Sequence, residues 1–392
     1  MAGMGIRALE LARALSAELP VRLLVPNDPA EAREVAGTLD VVAASEGALA
    51  AAAQGARAAV VSGHAANWWI HQVPDLPVAA DLYDPYPIEN LHYARLLGEG
   101  TARHDRESLA LALARADFFL CASPEQRLFY AGALFASGRI GASNFPDDPA
   151  LSRLLAVVPF GVPEAPARGN RAAGRRAAGV PEDGPLVLFG GIYDWYDPEL
   201  LLGAWPEVLA RRSDARLLFF ENPNRASTPQ EAFDRARRRA AEIDPAGRSI
   251  RFAPWLPYGS RQDLYAASDL LVSIASAGLE TELSYRTRLL DAAWGGVPSV
   301  AVGGGALARE LAAAGGGFEC PRNAAALAAR ITGLLEDRSA LERASAAARG
   351  FAAGRPWRAV AEPLAAWCRS PRVDPGRGPL GPARSRWKRL FQ

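Results

Sequence analysis

The 392-residue chain contains one lysine, Lys388, and three cysteines. Enzymes that bind a substrate or pyridoxal phosphate as a Schiff base need a lysine amine in a packed pocket. Lys388 lies close to the end of a polar, basic segment, so Schiff-base chemistry is nearly excluded. The cysteines are far apart and odd in number, so neither a disulfide framework nor a Cys-x-x-Cys metal site is available. These thiols fit a reducing cytoplasm best.

Long apolar runs and an excess of charge are also absent. No apolar stretch approaches the ~18 residues that a membrane span needs, and the N-terminus lacks the basic and apolar segments of a secretory signal. The net charge is +1, so the chain has no global field for nucleic acid. We expect a cytoplasmic globular protein in which any phosphate site is local.

Short apolar runs alternate with helical patterns through most of the chain, which predicts parallel sheets with crossover helices. The predicted strands are 21–25, 58–62, 77–82, 117–122, 154–158, 186–190, 215–220, 249–252, 269–274, 298–302 and 316–318. The predicted helices are 5–18, 86–98, 104–115, 124–136, 198–211, 229–242, 285–295, 305–313, 323–336 and 338–352. Two Rossmann-like, doubly wound α/β domains that face a cleft are the simplest account.

Composition divides the chain further. The predicted parts are an N-terminal domain (1–163), a Pro-, Gly-, Ala- and Arg-rich linker (164–184), a C-terminal domain (185–354), a docked amphipathic helix (355–370) and a basic flexible tail (371–392). From Arg369 onward, seven basic residues and one acid give a charge of +6. This composition favours either a solvated tail or a weak membrane-surface contact.

Gly3, Gly5 and Ala8 have the spacing of a dinucleotide-binding fingerprint, and Asp28 stands where a ribose-binding acid is expected. The buried strand that normally precedes such a turn is missing, so we expect either that the reading frame starts upstream or that the sheet tolerates the loss of this strand. NAD binding, a helix N-terminus that faces a phosphate and a turn without a ligand all stay open at this point.

Residues 280–298, ETELSYRTRLLDAAWGGVP, form the most informative stretch. A loop with Glu280 leads into a helix whose free N–H groups and positive dipole end can face an anion. Asp291 lies further along this helix and can accept hydrogen bonds from ribose hydroxyls. The residues suited to a diphosphate are Ser284, Arg286, Thr287 and Arg288. A surface helix with solvated arginines is the alternative.

DLYDPYPIENLHY at 81–93 begins at the end of a predicted strand. Buried acids are costly unless they are used or paired, so Asp81 and Asp84 are candidate catalytic residues. Capping of a helix by Asp84 is the alternative for that residue. Further candidates for the acceptor side are His64, Tyr83 and Glu89.

No Asp-x-Asp pattern occurs and the histidines are scattered, so the sequence predicts no metal site. A diphosphate leaving group would then be stabilised by arginines and helix N–H groups.

The stretch 280–298 resembles the nucleotide-sugar motif of the GT-B glycosyltransferases of family 4. In that motif a second acid stands seven residues before a proline, as Asp291 does before Pro298. The resemblance extends over most of the chain through VVPFGVP (157–163), FGGIYDWYDPELLLGAWPEVL (189–209) and IRFAPWLPYGSRQDLYAASDLLVSI (250–274).

The sequence departs from this pattern at several positions. The second acid is Asp rather than Glu, and Leu283 occupies the usual position of the first Glu, so Glu280 fits only with a longer loop. Asp194 and Trp195 replace the usual Arg and Lys of the 189–209 loop, which moves the predicted diphosphate clamp to Arg286 and Arg288.

The resemblance implies a metal-independent transfer, with retention and without a cofactor, of a sugar from a nucleotide diphosphate sugar. The acceptor would be a saccharide, a lipid-linked molecule or a natural product, bound by the N-terminal domain in the cytoplasm or at the inner membrane. Glu280 would direct the sugar, Gly191 would border the diphosphate, and Trp255 and Leu256 would border the nucleobase. The alternatives are a GT-B sugar-nucleotide epimerase and a catalytically silent subunit of a polysaccharide assembly complex.

Overall fold

The computed structural model describes residues 3–26, 29–73, 75–222 and 229–378. The chain divides into two units. The first unit takes the chain up to Phe160 and again from Trp357, and the second takes Gly161–Pro356. Asp28 and the tail residues 379–392 lie outside the described residues, so the predictions made for them stay predictions.

The first unit contains two parallel sheets. Its strands are β1 (Arg22–Val25), β2 (Asp40–Ala43), β3 (Ala59–Ser62), β4 (Val78–Asp81), β5 (Phe118–Cys121) and β6 (Leu155–Val157). β1 pairs with β2, while β3, β4, β5 and β6 are neighbours in that order. The helices are α1 (Gly3–Ser16), α2 (Pro29–Ala36), α3 (Glu46–Gly55), α4 (Ala65–Gln72), α5 (Tyr86–Glu89), the 3₁₀ helix η1 (Asn90–Tyr93), α6 (Ala94–Arg115) and α7 (Pro124–Ala136). Within the described residues, no strand precedes α1.

The second unit contains one parallel sheet of six strands. These are β7 (Leu186–Gly191), β8 (Arg216–Phe220), β9 (Ile250–Ala253), β10 (Leu270–Ile274), β11 (Ser299–Val302) and β12 (Gly317–Glu319). Its helices are α8 (Arg171–Ala178), α9 (Pro198–Arg211), α10 (Glu231–Ile243), η2 (Tyr258–Ser260), α11 (Arg261–Ala267), α12 (Leu279–Leu283), α13 (Thr287–Trp294), α14 (Gly305–Ala313), α15 (Ala324–Glu336) and α16 (Arg338–Ala353). The first unit is completed by α17 (Trp357–Val360) and α18 (Glu362–Arg369).

The strand order of the second unit locates its site. Across the sheet the order is β9-β8-β7-β10-β11-β12, so the direction of winding reverses between β7 and β10. In open α/β sheets, ligands bind outside the carboxyl ends of the strands at such a reversal. The segments that follow β7 and β10 are therefore the ones to inspect.

Local sequence signals explain where several helices begin. Ser123 accepts a hydrogen bond from the N–H of Gln126 at the start of α7, and Asp197 accepts one from Leu200 at the start of α9. A proline follows each of these caps, at a position where its missing N–H costs nothing. Each unit then buries its own core, which is centred on Trp68, Trp69, Phe119 and Tyr130 in the first unit and on Phe189, Trp205, Phe219 and Phe233 in the second.

The segment expected to be a linker contains α8, which packs against α11. A Cβ at Gly169 or Gly174 would lie 2.0 Å from a backbone carbonyl oxygen of Gln262 or Asp263. The glycines that suggested a linker therefore let two backbones approach closely. Residues 164–184 accordingly belong to the second unit.

The beginning of the predicted tail is also held in place. The N–H of Asp374 donates to Asp117 and the N–H of Gly378 donates to Ala114. Arg377 pairs with Asp117, whose side chain is fully buried. Hydrogen bonds and an ion pair therefore connect residues 374–378 to the end of α6 and the start of β5.

None of the helices in the described ranges is long and apolar enough to cross a membrane.

Candidate functional site

The loop that follows β7 is joined by backbone hydrogen bonds to the carboxyl end of β10 and the residues just after it. The N–H of Asp197 donates to Ile274, and the N–H of Ser276 donates to Trp195. The strand β7 carries a bulge at Leu188–Gly190, where Gly190 has a φ of 92° that favours glycine. These features hold the loop 192–197 beside the segment 275–286.

Arg288 lies against the end of β7. Its Nη1 donates to the carbonyl oxygen of Phe189 at 2.8 Å, and its Nη2 donates to that of Gly191 at 3.0 Å. Its guanidinium carbon is 3.9 Å from the centroid of the Tyr196 ring, a distance at which a cation–π contact is favourable. Two carbonyl oxygens of β7 and the rings of Tyr196 and Phe189 thus fix the orientation of this cation at the predicted diphosphate site.

Glu280 and Arg286 form a buried ion pair at the same edge. Nη2 of Arg286 lies 2.5 Å from Oε2 of Glu280, and each side chain is 3% exposed. The hydroxyl of Ser284 donates to the same carboxylate, and Arg286 lies 4.9 Å from the centroid of the Tyr196 ring. Glu280 lies in the short helix α12 rather than in the loop that we expected. Burial requires that the two charges stay paired.

Aromatic side chains border this edge. Tyr193 and Trp195 stack with their centroids 4.9 Å apart and their rings 2° from parallel. A Cβ at Gly191 would lie 3.3 Å from the Trp255 ring, so the predicted base-binding tryptophan and the predicted phosphate-binding glycine are close neighbours. Leu256 follows Trp255 and is half-buried.

The predicted ribose acid lies further along α13. Asp291 is 4.0 Å from Nε of Arg261 and is half-buried. Arg261 stacks on Tyr258 with its guanidinium carbon 3.7 Å from the ring centroid. Thr287 is the first residue of α13 and is half-buried.

Gly3, Arg7 and Asp81 meet in the first unit. Arg7, which is 1% exposed, donates to both carboxylate oxygens of Asp81 at 2.6 and 3.0 Å. It also donates to the carbonyl oxygens of Val158 and Pro159. A Cβ at Gly3 would lie 3.0 Å from the Tyr83 hydroxyl, so this glycine leaves room for the phenol.

The carboxyl ends of β3 and β4 border a small depression. Its lining residues are Met4, Arg7, Ala8, Ser62, Gly63, Asp81, Tyr83 and Asp84. Burial raises the pKa of Tyr83 well above its usual value, and the neighbouring Asp84 carboxylate raises it further. Tyr83 therefore remains a neutral hydroxyl across the physiological range. Gly5 lies within α1 and is exposed.

His64 belongs to a neighbouring polar cluster. Its Nδ1 lies 2.8 Å from the Ser108 hydroxyl, and its Nε2 lies 3.3 Å from the Asp105 carboxylate. Asn90 donates to the other oxygen of Asp105 at 2.7 Å. Both ring nitrogens of His64 therefore have protein partners. Glu89 ends α5 and is half-buried.

Sequence reasoning missed Arg7, Tyr196 and Arg261 as members of these clusters. Arg7 lies between Gly5 and Ala8, and Tyr196 and Arg261 lie inside quoted stretches, but their partners are distant in sequence or were not singled out. Arg7 is 74 residues from Asp81. The only local indication of a role for Arg7 was its position in the glycine-containing start of a predicted helix.

Among the described residues, no group of three or more His, Cys, Asp or Glu side chains is placed to hold a metal ion.

No protein-family model matches the chain, and no curated protein matches it. Solved structures do. The sucrose-phosphate synthase of Thermosynechococcus elongatus is 18% identical, with 94% of this chain and 93% of that chain covered and a TM-score of 0.65. Anabaena HepE, solved in complex with UDP and glucose, is 16% identical, with 94% and 96% covered and a TM-score of 0.67.

A third similar structure is WaaG, a glycosyltransferase involved in lipopolysaccharide biosynthesis. It is 16% identical, with 94% of this chain and 97% of that chain covered and a TM-score of 0.63. At these identities the likeness concerns the fold. The chain is an α/β protein with the parallel sheets of the GT-B fold.

Proposed function

We propose that the protein is a glycosyltransferase that moves a sugar from a nucleotide diphosphate sugar to a saccharide, lipid-linked or natural-product acceptor. The observation that carries this proposal is the cluster of Glu280, Arg286 and Arg288 at the sheet reversal of the second unit. The fold is shared with HepE, whose structure contains UDP and glucose, which supports a nucleotide-sugar donor. The proposed reaction needs no metal and retains the anomeric configuration.

Arg288 is the proposed main contact of the diphosphate. Two of its N–H groups donate to strand carbonyls, and the remaining ones can donate to phosphate oxygens. Because the guanidinium is oriented before the donor binds, little reorganisation is needed as charge develops on the leaving phosphate. The N–H groups at the start of α13, including that of Thr287, would share this charge.

Glu280 has a different proposed role from the one that the sequence suggested. At 3% exposure it is too buried to direct a sugar, and it holds Arg286 and Ser284 in place instead. Asp291 would bind the ribose, and Trp255 and Leu256 would border the base.

In the first unit, Asp81 and Asp84 are the proposed candidates for contact with the acceptor hydroxyl, and both line the depression at the ends of β3 and β4. Both oxygens of Asp81 accept hydrogen bonds from Arg7, and one of them also accepts from the N–H of Tyr83. Asp81 therefore has a structural partner for each oxygen. In a retaining transfer the leaving phosphate oxygen can take the acceptor proton, so no strong enzymatic base is required.

The test is calorimetric binding of UDP-, GDP-, dTDP- and ADP-sugars and of NAD to wild type and to Arg288→Ala. We expect one sugar nucleotide to bind, and the variant to weaken it by about 2 kcal/mol, or about thirtyfold in Kd. Arg338→Ala is the matched control, because Arg338 lies in an exposed i,i+4 pair with Glu342. The proposal would be overturned if the folded protein bound only NAD, or if it bound none of these nucleotides. Donor binding without turnover on any acceptor would favour the silent-subunit alternative.

A further inference from the structure

The loop after β7 and the segment after β10 meet at the sheet reversal of the second unit. The N–H of Ser276 in the segment donates to the carbonyl oxygen of Trp195 in the loop at 2.9 Å. In the same loop, the centroid of the Tyr196 ring lies 3.9 Å from the guanidinium carbon of Arg288. These two stretches therefore border the proposed diphosphate site, and we expect the sugar that the diphosphate carries to lie beside them.

The charged side chains of the loop 192–197 and of the segment 275–286 already have partners in the protein. These residues are Asp194, Asp197, Glu280, Glu282 and Arg286, and each interacts with another protein group. The ion pairs of Glu280 and Asp197 are 2.5 and 2.6 Å long. The hydroxyl groups of a sugar would have to compete for these carboxylates with partners inside the protein.

Apolar and aromatic groups are accessible on the same two stretches. Residues 277–279 are three consecutive exposed positions with the sequence Ala-Gly-Leu, and Leu279 is 55% exposed. They follow Ser276 directly. In the loop, the half-buried rings of Tyr193 and Trp195 are stacked 4.9 Å apart. The centroid of Trp195 lies 6.4 Å from that of Tyr196, so this aromatic pair is close to the ring that contacts the diphosphate cation.

A surface of this kind favours a sugar with fewer hydroxyl groups. A hydroxyl that is brought against it loses hydrogen bonds to water and gains none from the protein. In a hexose the hydroxyl at C6 projects furthest from the ring. A 6-deoxyhexose carries a methyl group at this position, and the burial of a methyl group is favourable.

We propose that the donor sugar is a 6-deoxyhexose, bound with its methyl group against Trp195 and Leu279. This inference rests on the proposed transferase function and names the donor class for the same site. Trp195 and Leu279 determine the specificity for the sugar, whereas Arg288 holds the diphosphate that all such donors share.

The test is calorimetric binding of donor pairs that share a nucleotide and differ only at C6 of the hexose, with the free nucleoside diphosphates as references. The pairs are UDP-glucose with UDP-6-deoxyglucose, dTDP-glucose with dTDP-6-deoxyglucose, and GDP-mannose with GDP-6-deoxymannose. For the nucleotide that binds, the 6-deoxy donor is expected to have a Kd about tenfold lower than that of its hydroxylated partner.

Two variants locate this preference. Trp195→Ala and Leu279→Ser should each reduce it to about threefold or less, because part of the apolar surface is lost. The Kd of the free nucleoside diphosphate should not change, because that ligand has no sugar. Leu279 is exposed, so Leu279→Ser tests the proposal even if Trp195→Ala lowers stability. Phe318→Leu is the matched control, because Phe318 is a half-buried ring on the edge strand β12.

Three results overturn the proposal. The first is binding of the hydroxylated donors that is as tight as that of the 6-deoxy donors, or tighter. The second is an equal weakening of nucleoside diphosphate and donor by Trp195→Ala, which would place this ring against the nucleobase. The third is a 6-deoxy preference that neither variant changes. If neither the nucleoside diphosphates nor the donors bind, the proposed function itself fails and this inference fails with it, so the two failures are distinguishable.

Discussion

Arg7 illustrates how one buried side chain can support a whole site. It joins α1, the end of β4 and the residues after β6 through hydrogen bonds to Asp81, Val158 and Pro159. A buried charge of this kind is stable only when every partner is present, since desolvation of an unpaired ion costs several kcal/mol.

We expect Arg7→Ala to lower the free energy of unfolding by about 3–5 kcal/mol, because Asp81 would be left buried without its cation. Urea unfolding monitored by circular dichroism would measure the change. The matched control is Arg22→Ala, since Arg22 and Asp40 form a pair in which both side chains are 51% exposed. That control should lose about 1 kcal/mol or less, and an equal loss in both variants would contradict the argument.

His71 should make stability depend on pH. Burial, followed by the nearby Arg115 cation, lowers the pKa of His71 below its usual value of 6.5. The unfolded chain therefore takes up a proton at a higher pH than the folded chain does. The stability from this residue is complete above pH 6.5 and is lost as pH falls through the lower folded-state value.

His71→Gln removes this titration, so the variant should lose less stability than wild type between pH 7.5 and pH 5.5, values chosen to bracket the unfolded pKa of about 6.5. Urea denaturation at both pH values measures the difference. His92→Gln, at an exposed position, should follow the wild-type dependence. A steeper loss in His71→Gln than in wild type would show that the sign is wrong.

At the scale of elements, glycine has opposite roles in two helices. In α8, a Cβ at Gly174 would lie 2.0 Å from the backbone carbonyl oxygen of Asp263 in α11. In α9, a Cβ at Gly203 would meet nothing within 4 Å. The first glycine is required by packing, whereas the second only adds flexibility to the unfolded chain.

Gly174→Ala should therefore destabilise the protein by about 1–3 kcal/mol, because the two backbones must separate. Gly203→Ala should stabilise it by about 0.5–1 kcal/mol, because alanine is the better helix former. Thermal unfolding of the two variants beside wild type measures both shifts. Shifts of the same sign would refute the packing argument for α8.

At the scale of the whole molecule, the residues after α18 complete the first unit. Arg377 pairs with Asp117, and Asp374 pairs with Arg139, which is 1% exposed. Burial has the largest effect on the pKa of the Asp117 carboxyl and raises it, whereas the hydrogen bonds from Asp374 and Val78 and the Arg377 cation lower it. The charged form of Asp117 therefore depends on these partners.

A chain that ends at Arg369 should lose about 3–5 kcal/mol of unfolding free energy, because Asp117 and Arg139 would each lose a buried partner. A chain that ends at Gly378 keeps both pairs and should unfold like the full chain. Urea midpoints of the three proteins decide between these outcomes. Equal midpoints for the two shortened chains would mean that residues 370–378 add no stability.

The sequence by itself determined the fold class and most of the elements. Apolar runs bounded by turn residues placed β7 and β10, because a strand buried on both faces needs a continuous apolar segment. The predicted starts of the helices 124–136 and 198–211 agree with the caps at Ser123 and Asp197, because a cap acts within the first turn of a helix. The same local patterns missed the strand β2 and did not predict the helix α8 within residues 164–184.

Only the tertiary structure decided the partners of the charged residues. Arg288 donates to carbonyls 99 and 97 residues away, and Arg7 pairs with an acid 74 residues away. The sequence identified Arg286, Arg288 and Asp81 as candidates, but it could not show that Arg286 is neutralised by Glu280 or that Asp81 is neutralised by Arg7. Local patterns specify elements because helices and strands form from neighbouring residues, whereas a site forms where separate elements pack and burial selects which charges must pair.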